Sequence, residues 1–392
     1  MKKGRWFGAI LAFVLVASLL AIGCAKEVAP GEGETKELKT FLVGAFWPMT
    51  GAQGYYGGCF SRGAITAIDE INAAGGASGY KLDLRIIDYK NVDVNLCVTG
   101  VTKLITIDKT PIMYGSFSAT CLASQPICAE AKVPILNAGA YSPKLVNLPY
   151  LHTTRMAQQQ TLPPMIKYFW DQGARKLATI YLNDPSGRVP AQELVEPTWK
   201  EWGGTIVASE PHEPGLTDFG AQLSRIKAGN PDAIVDISTG EDIAHIVLQA
   251  REMGLTCPMS TVEWEPKWQE LAGKTSKDVY TCYDYFDPEG SHPFTQQFIK
   301  AYNAKGWTDK VEFYAANCYE VAYLVKELIA RVVAKGGDPL VGAELEEAIW
   351  ADPHFNSVYG GSMEFKKDGT TVKPMCIFKV VEGVPTIIER VS

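Results

Sequence analysis

Short apolar runs rich in β-branched residues recur along the chain. They occur at Phe41–Ala45, Leu82–Ile87, Pro111–Tyr114 and Val133–Leu136, and again at Leu177–Leu182, Thr205–Ala208, Ala233–Ile237 and Val279–Tyr283. Between them, apolar residues fall three and four positions apart. Examples are Ala64, Ala67, Ile68 and Ile71; Ile243, Ile246, Val247 and Ala250; and Val321, Leu324, Val325 and Leu328. That spacing predicts amphipathic helices, and a short unbroken apolar run predicts a strand covered on both faces. Their alternation predicts parallel sheets sandwiched by helices. The plan runs twice: one series ends near residue 155, and a second starts at Leu177 after the Pro- and Gln-rich stretch Arg155–Pro164. The fold class is therefore α/β, with two Rossmann-like lobes of parallel-rich sheet joined by a hinge. The carboxyl ends of their strands would face a shared cleft, where such sheets hold ligands.

The first residues follow a different pattern. Lys2, Lys3 and Arg5 precede the apolar stretch Trp6–Ile22, and Leu20-Ala21-Ile22-Gly23-Cys24 follows the layout of a bacterial export signal. A small residue before Cys resembles the lipobox of bacterial lipoproteins, in which that Cys is lipidated and begins the mature chain. Residues 1–23 are thus read as a lipoprotein signal peptide, Cys24 as the lipidation site and 24–37 as a solvated tether. A plain cleaved signal or an anchor helix are the alternatives the segment leaves open. Removing the signal takes three positive charges with it and shifts the net charge from −7 to −10. The expected location is extracytoplasmic, on a membrane-anchored protein, where no ATP or NAD pool exists.

Charge and composition narrow the chemistry. With 37 Lys+Arg against 44 Asp+Glu and no basic run beyond the N-terminus, nucleic acid is not an expected partner. Eight cysteines remain besides Cys24, with no CxxC spacing, and their pairing is left open. The five histidines are isolated, so no metal and no cofactor is expected. There is no GxSxG elbow. Gly273-Lys274-Thr275 resembles the end of a P-loop, but its first glycine position is Trp268. The glycines at 51, 54, 57 and 58 follow the first strand without the GxGxxG spacing; they are expected in either a nucleotide loop or a flexible βα loop at a cleft, and the exported location favours the second.

Several stretches, taken in order, resemble the leucine/isoleucine/valine-type substrate-binding proteins of ABC importers, which have the type I periplasmic binding fold. They are Val43-Gly44-Ala45-Phe46-Trp47-Pro48-Met49-Thr50-Gly51; Asp69-Glu70-Ile71-Asn72-Ala73-Ala74-Gly75-Gly76; Gly115-Ser116-Phe117-Ser118; Val133-Pro134-Ile135-Leu136; Pro231-Asp232-Ala233-Ile234; and Gln249-Ala250-Arg251-Glu252-Met253-Gly254-Leu255. The likeness spans roughly residues 40–380. It implies one lobe from 38–157 plus 285–358 and another from 158–284 plus 359–392.

The resemblance also implies where a ligand sits. Its carboxylate would lie at a helix N-terminus, held by Ser118, Ala119 and Thr120, since free N–H groups and the helix dipole favour an anion there. The other reading of Ser118 is a helix cap. The next strand end, Ala138-Gly139-Ala140, lacks the hydroxyl that family members carry near Ala140. The second lobe's D-x-x-Y-G loop reads Asp184-Pro185-Ser186-Gly187 after Asn183, so Ser186 stands near the place of the closing Tyr. Glu263 is nearest to the acid that neutralises a ligand ammonium; the alternative is a surface residue. Trp47, Tyr55, Tyr56, Phe117, Tyr141 and Trp264 are expected in loops at strand ends. They either pack core and rim or stack a flat organic acid, with Trp47 and Tyr56 the first choices. Arg155 at the crossover pairs either with a ligand carboxylate or with an acid of the other lobe.

The expected function is an extracytoplasmic solute-binding protein, not an enzyme. It would capture a small amino acid or aromatic or other organic acid by lobe closure. Its expected partners are that solute, an ABC permease with its ATPase, and the membrane through lipidated Cys24. The rivals are an exported α/β hydrolase, for which no nucleophile–base pair is found, and a sensory receptor domain of the same fold, against which no signalling segment is expected after residue 392.

Overall fold

Strand β1 (Lys39–Trp47) sets the frame. Phe41, Val43, Ala45 and Trp47 enter one hydrophobic cluster, while Phe46 enters another on the opposite face. A strand's side chains alternate between faces, so both faces of this sheet are covered. The structure, a computed structural model, describes residues 37–284 and 286–391. The signal peptide, Cys24 and the tether up to residue 36 lie outside the described residues.

The first lobe continues with α1 (Gly54–Ala73), β2 (Tyr80–Asp88), α2 (Val94–Thr106), β3 (Ile112–Gly115), α3 (Ser118–Glu130), β4 (Ile135–Asn137) and β5 (Leu151–Thr153). Its five strands are all parallel, in the order β2-β1-β3-β4-β5. The second lobe follows with α4 (Gln158–Asp171), β6 (Lys176–Leu182), α5 (Arg188–Pro190), α6 (Glu196–Glu201) and β7 (Thr205–His212). It goes on through α7 (Gly220–Gly229), β8 (Ala233–Ile237), α8 (Glu241–Glu252), β9 (Met259–Thr261), α9 (Pro266–Ala272) and β10 (Val279–Asp284). The chain then returns to the first lobe with α10 (Pro293–Ala304), α11 (Phe313–Ala334), α12 (Gly342–Ala351) and a small sheet of β11 (His354–Asn356), β12 (Ser362–Phe365) and β13 (Thr371–Val372). That small sheet is tied to the first lobe by Asn147 N–H donating to Asp368 O and Thr153 N–H to Gly369 O. Finally β14 (Met375–Val381) and β15 (Val384–Val391) add antiparallel strands to the second sheet, whose order is β15-β14-β10-β9-β8-β6-β7.

Helix α1 lies so close to α11 that a Cβ on Gly63 would stand 2.0 Å from the Ala315 carbonyl oxygen. The glycine is what permits that approach. Residues 155–164 read locally as a break, because proline removes a helical donor and clashes with the preceding turn. In the structure α4 nevertheless starts at Gln158 and runs through Pro163 and Pro164. Its buried face of Leu162, Met165, Ile166 and Phe169 packs into the core, and tertiary burial outweighs the local penalty.

The chain crosses between lobes after β5, after β10 and between β13 and β14. The first two crossings are pinned together by the Met156 N–H, which donates to both carboxylate oxygens of buried Asp284 at 3.3 and 3.2 Å. The third is pinned by Lys373, whose ammonium lies 2.5 Å from Glu320 on α11 and 2.9 Å from Asn317 Oδ1. The eight cysteines among the described residues are free thiols, seven of them buried.

Candidate functional site

The strand tips of both sheets meet where the lobes touch, and Glu263 is the centre of that meeting. It follows β9 in the second lobe and is fully buried, which excludes the surface reading. Tyr56, on the first turn of α1, donates its hydroxyl to Glu263 Oε1 at 2.5 Å. The Tyr56 hydroxyl oxygen in turn accepts the Gly240 N–H, from the second lobe, at 2.7 Å. Tyr314, on the first turn of α11, donates to Glu263 Oε2 at 2.5 Å. Arg155 reaches Glu263 Oε2 at 3.2 Å and also donates to Gly139 O at 2.9 Å and to the Tyr314 hydroxyl at 2.7 Å. Its guanidinium lies 4.1 Å from the centre of the Tyr141 ring. Of the two readings of Arg155, the pairing with an acid of the other lobe is the one observed.

Electrostatics follow from this packing. Burial opposes the Arg155 charge, but Tyr314 and Glu263 more than offset it and hold the guanidinium protonated. Burial first, and the Glu263 charge next, push the Tyr56 hydroxyl well above its ordinary range. Burial does the same to Tyr314, so both hydroxyls remain donors at neutral pH.

The anion cradle is only partly as expected. Ser118 is the first residue of α3, and Phe117 is the cap, without a side-chain bond to the helix. The Ser118 hydroxyl instead accepts the Ser142 N–H at 3.3 Å. The first N–H groups of α3 therefore stay uncapped beside the cleft, a place that suits an anion. Thr120 turns its hydroxyl back to Phe117 O at 2.9 Å. The Gly139 and Ala140 N–H groups donate to Asn137 Oδ1 at 3.1 and 2.7 Å, and Asn137 Nδ2 donates to Ala140 O. Ala138 O accepts from Asn317 Nδ2 at 3.3 Å. Residues 138–140 thus have most of their backbone groups engaged within the protein.

In the second lobe, Ser186 sits in a turn built by Asp184 Oδ1, which accepts from the Ser186 N–H and hydroxyl and the Gly187 N–H. Across the lobes, Ser142 Oγ donates to Pro185 O at 3.0 Å; within the second lobe, Gln158 Nε2 donates to Ser186 O at 3.0 Å. Trp47 is the last residue of β1, and its ring packs against Phe60 and Tyr114 in the core. Glu263, Arg155, Tyr56 and Gly139 are thus brought into one cluster. Ser118, Ala119 and Ser186 line the adjoining mouth of the cleft, and Trp47 and Thr120 stand apart. That mouth holds about 720 Å³, with Phe117 and Tyr55 from one side and Leu182, Thr239 and Asp242 from the other. The volume suits a metabolite.

Sequence reasoning missed Tyr314, Asn137 and Gly240. A signal for Tyr314 was present: Glu312 precedes a long apolar helical run and caps it, accepting from the Tyr314 and Ala315 N–H groups. That cap places Tyr314 on the first turn. Among the described residues no His, Cys, Asp and Glu group could hold a metal ion, and no helix is long and apolar enough to cross a membrane.

A family model described as periplasmic binding protein matches residues 40–384. The Leu/Ile/Val-binding protein homolog 7 of Brucella abortus (strain 2308) is 25% identical over 356 residues, covering 85% of this chain and 86% of that protein. The branched-chain amino acid transporter substrate binding protein LivJ of Streptococcus pneumoniae, solved with isoleucine, is 25% identical with a TM-score of 0.77. The match covers 90% of this chain and 99% of that one. A solute binding protein of an ABC transporter from R. palustris, solved with 4-hydroxybenzoate, is 21% identical with a TM-score of 0.78, over 90% of this chain and 97% of its own. At that identity the likeness is one of fold.

Proposed function

The chain belongs to the periplasmic binding protein family, and from that premise we propose that it captures a small amino acid or related organic acid between its lobes. It then hands the solute to the permease and ATPase of an ABC importer. The observation that carries the reading is the convergence of Tyr56, Arg155 and Tyr314 on Glu263 and Gly240 of the opposite lobe. Contacts between lobes exist only when the lobes meet, so a solute that adds to them shifts the population toward closure. The protein itself performs no chemistry in this reading.

The solute's carboxylate is assigned to the uncapped start of α3, with Ser118, Ala119 and the Ser186 turn beside it. An ammonium would have to compete with Arg155 for Glu263, whose two oxygens already take an ion pair and two hydroxyls. That favours an acid over a zwitterion. The isoleucine seen in one relative and the hydroxybenzoate in a fold neighbour define the two ends of the screen. Thermal-shift titration with aliphatic amino acids, benzoates and short organic acids is expected to give a saturable rise in melting temperature for one class, as binding to the folded state requires. No rise with any of them overturns the reading.

The same proposal places the protein outside the cytoplasm on a lipid anchor at Cys24. Cys24→Ala is expected to move the protein from the membrane fraction to the soluble one; unchanged partition removes the anchor.

A further inference from the structure

The loop that carries Glu263 has a second face. Glu263 points into the cluster described above, whereas Trp264 and Glu265 line a separate cavity of about 490 Å³ on the flank of the lobe contact. Five aromatic rings, those of Trp264, Tyr283, Phe286, Phe313 and Phe378, contribute to its wall. Tyr283 lies 5.1 Å from Phe313 and 5.2 Å from Phe378, centroid to centroid, and Phe286 adds a further side. Two carboxylates, Glu265 and Glu312, line the same space.

Their surroundings differ in one respect. Glu312 is buried but accepts the Tyr314 and Ala315 N–H groups at 2.6 and 2.8 Å. Glu265 is 2% exposed, and among the described residues nothing hydrogen-bonds or ion-pairs with its carboxylate. The nearby cations are engaged elsewhere or stay at the rim. Arg155 is committed to Glu263, and Arg62 to Asp309 at 2.9 Å and the Tyr302 hydroxyl at 3.0 Å. Lys310 lines the rim and makes no ion pair among the described residues. Burial and the Glu312 charge push the Glu265 carboxyl well up, and burial pushes Glu312 up to about 7. Two acids thus share a partly aromatic cavity, neither in an ion pair among the described residues, with Lys310 at the edge the one basic residue that lines it. A buried acid of this kind is stabilised by a paired cation, and ring faces add to the attraction for one.

We propose that this flank cavity is a second ligand site, for a small organic ammonium ion with an apolar body, held by Glu265 and Glu312 against the faces of the aromatic wall. In the cleft Arg155 and Glu263 neutralise each other, whereas Glu265 and Glu312 have no such ion pair, so the two sites are expected to take different solutes.

The test is calorimetric titration of the full chain with phenethylamine, alongside 2-phenylethanol and 3-phenylpropionate as its neutral and anionic counterparts. The amine is expected to bind, and the other two at least about tenfold more weakly, because only the amine offsets the buried acids. Glu265→Gln is expected to lower amine affinity by about tenfold or more. Val384→Trp, on an exposed hairpin residue that lines the cavity, is expected to block it by filling. The proposal is overturned if the amine fails to saturate at millimolar concentration or if the alcohol binds as well. It is also overturned if amine binding falls with Ser118→Ala in the cleft and not with Glu265→Gln.

Discussion

Two buried ion pairs occupy the middle of this molecule, Lys373–Glu320 at the third crossing and Arg155–Glu263 in the cleft. Their chemistry is the same and their settings differ. Glu320 also accepts from the Ser357 hydroxyl and the Val358 N–H, and Lys373 lies over the Tyr359 ring, so every partner belongs to the segment from α11 to the third crossing. That pair cannot be rehydrated without unfolding the segment. Arg155–Glu263 joins groups from opposite lobes, and parting the lobes returns water to both ions. The first pair fastens the hinge; the second belongs to a contact that can open. Removing one partner of a buried pair costs most where water cannot replace it.

Glu320→Ala tests the fixed member of the comparison. It is expected to cost about 3–5 kcal/mol in a urea titration, because Lys373 is left buried and unpaired. A loss no larger than that of Arg155→Met would erase the distinction. Arg155→Met is expected to cost less, about 1–3 kcal/mol, since Glu263 regains water by lobe opening. The radius of gyration from solution scattering should rise in that variant, and an unchanged value would place the pair in a rigid core instead. Ser118→Ala is expected to weaken any carboxylate solute by about 1–2 kcal/mol in calorimetry, the scale of a hydrogen bond to a charged group. Tyr314→Phe removes one of the three donors on Glu263 and is expected to cost about 1 kcal/mol of closure, read as a lower solute affinity.

Asp236 sharpens the contrast from the other side. It is fully buried on β8, and among the described residues no basic side chain pairs with it. Burial, with a smaller push from Asp242, raises its carboxyl to about 8, so the folded protein keeps the proton through neutral pH. The folded value lies above the unfolded one. Its contribution is therefore complete below about pH 4 and is lost as pH rises toward about 8. Asp236→Asn should flatten the fall in melting temperature between those limits, a change of a few degrees at most. A variant with the wild-type slope would show that Asp236 does not carry the proton.

Legibility in the sequence followed the strength of each element's own apolar pattern, which even the short β3 and β4 carry. The runs at 41–45, 82–87 and 233–237 and the helical repeats of α1, α8 and α11 were readable because each element's own residues supply its periodicity. Strands β9, β11, β12 and β13 have two to four residues and leave no periodic signal. The hairpin of β14 and β15 did carry one. Glu382 and Gly383 both adopt positive φ, at 50° and 85°, as a tight hairpin turn requires, and Gly383 marks the place. At the site, Glu263 and Arg155 were found as separate candidates. Their pairing, and the use of the Gly139 and Ala140 N–H groups by Asn137, depended on loops far apart in the chain.

The residue order by itself determined the doubled strand–helix plan, the family likeness and the candidates at the strand tips, because each rests on local periodicity or contiguous motifs. Only the folded chain decided which candidates share one cluster, which buried acids have partners, and that Glu263 and Glu265 serve opposite sides of one loop. Burial and pairing are properties of three-dimensional neighbours, and a charge buried in low dielectric takes its behaviour from those neighbours.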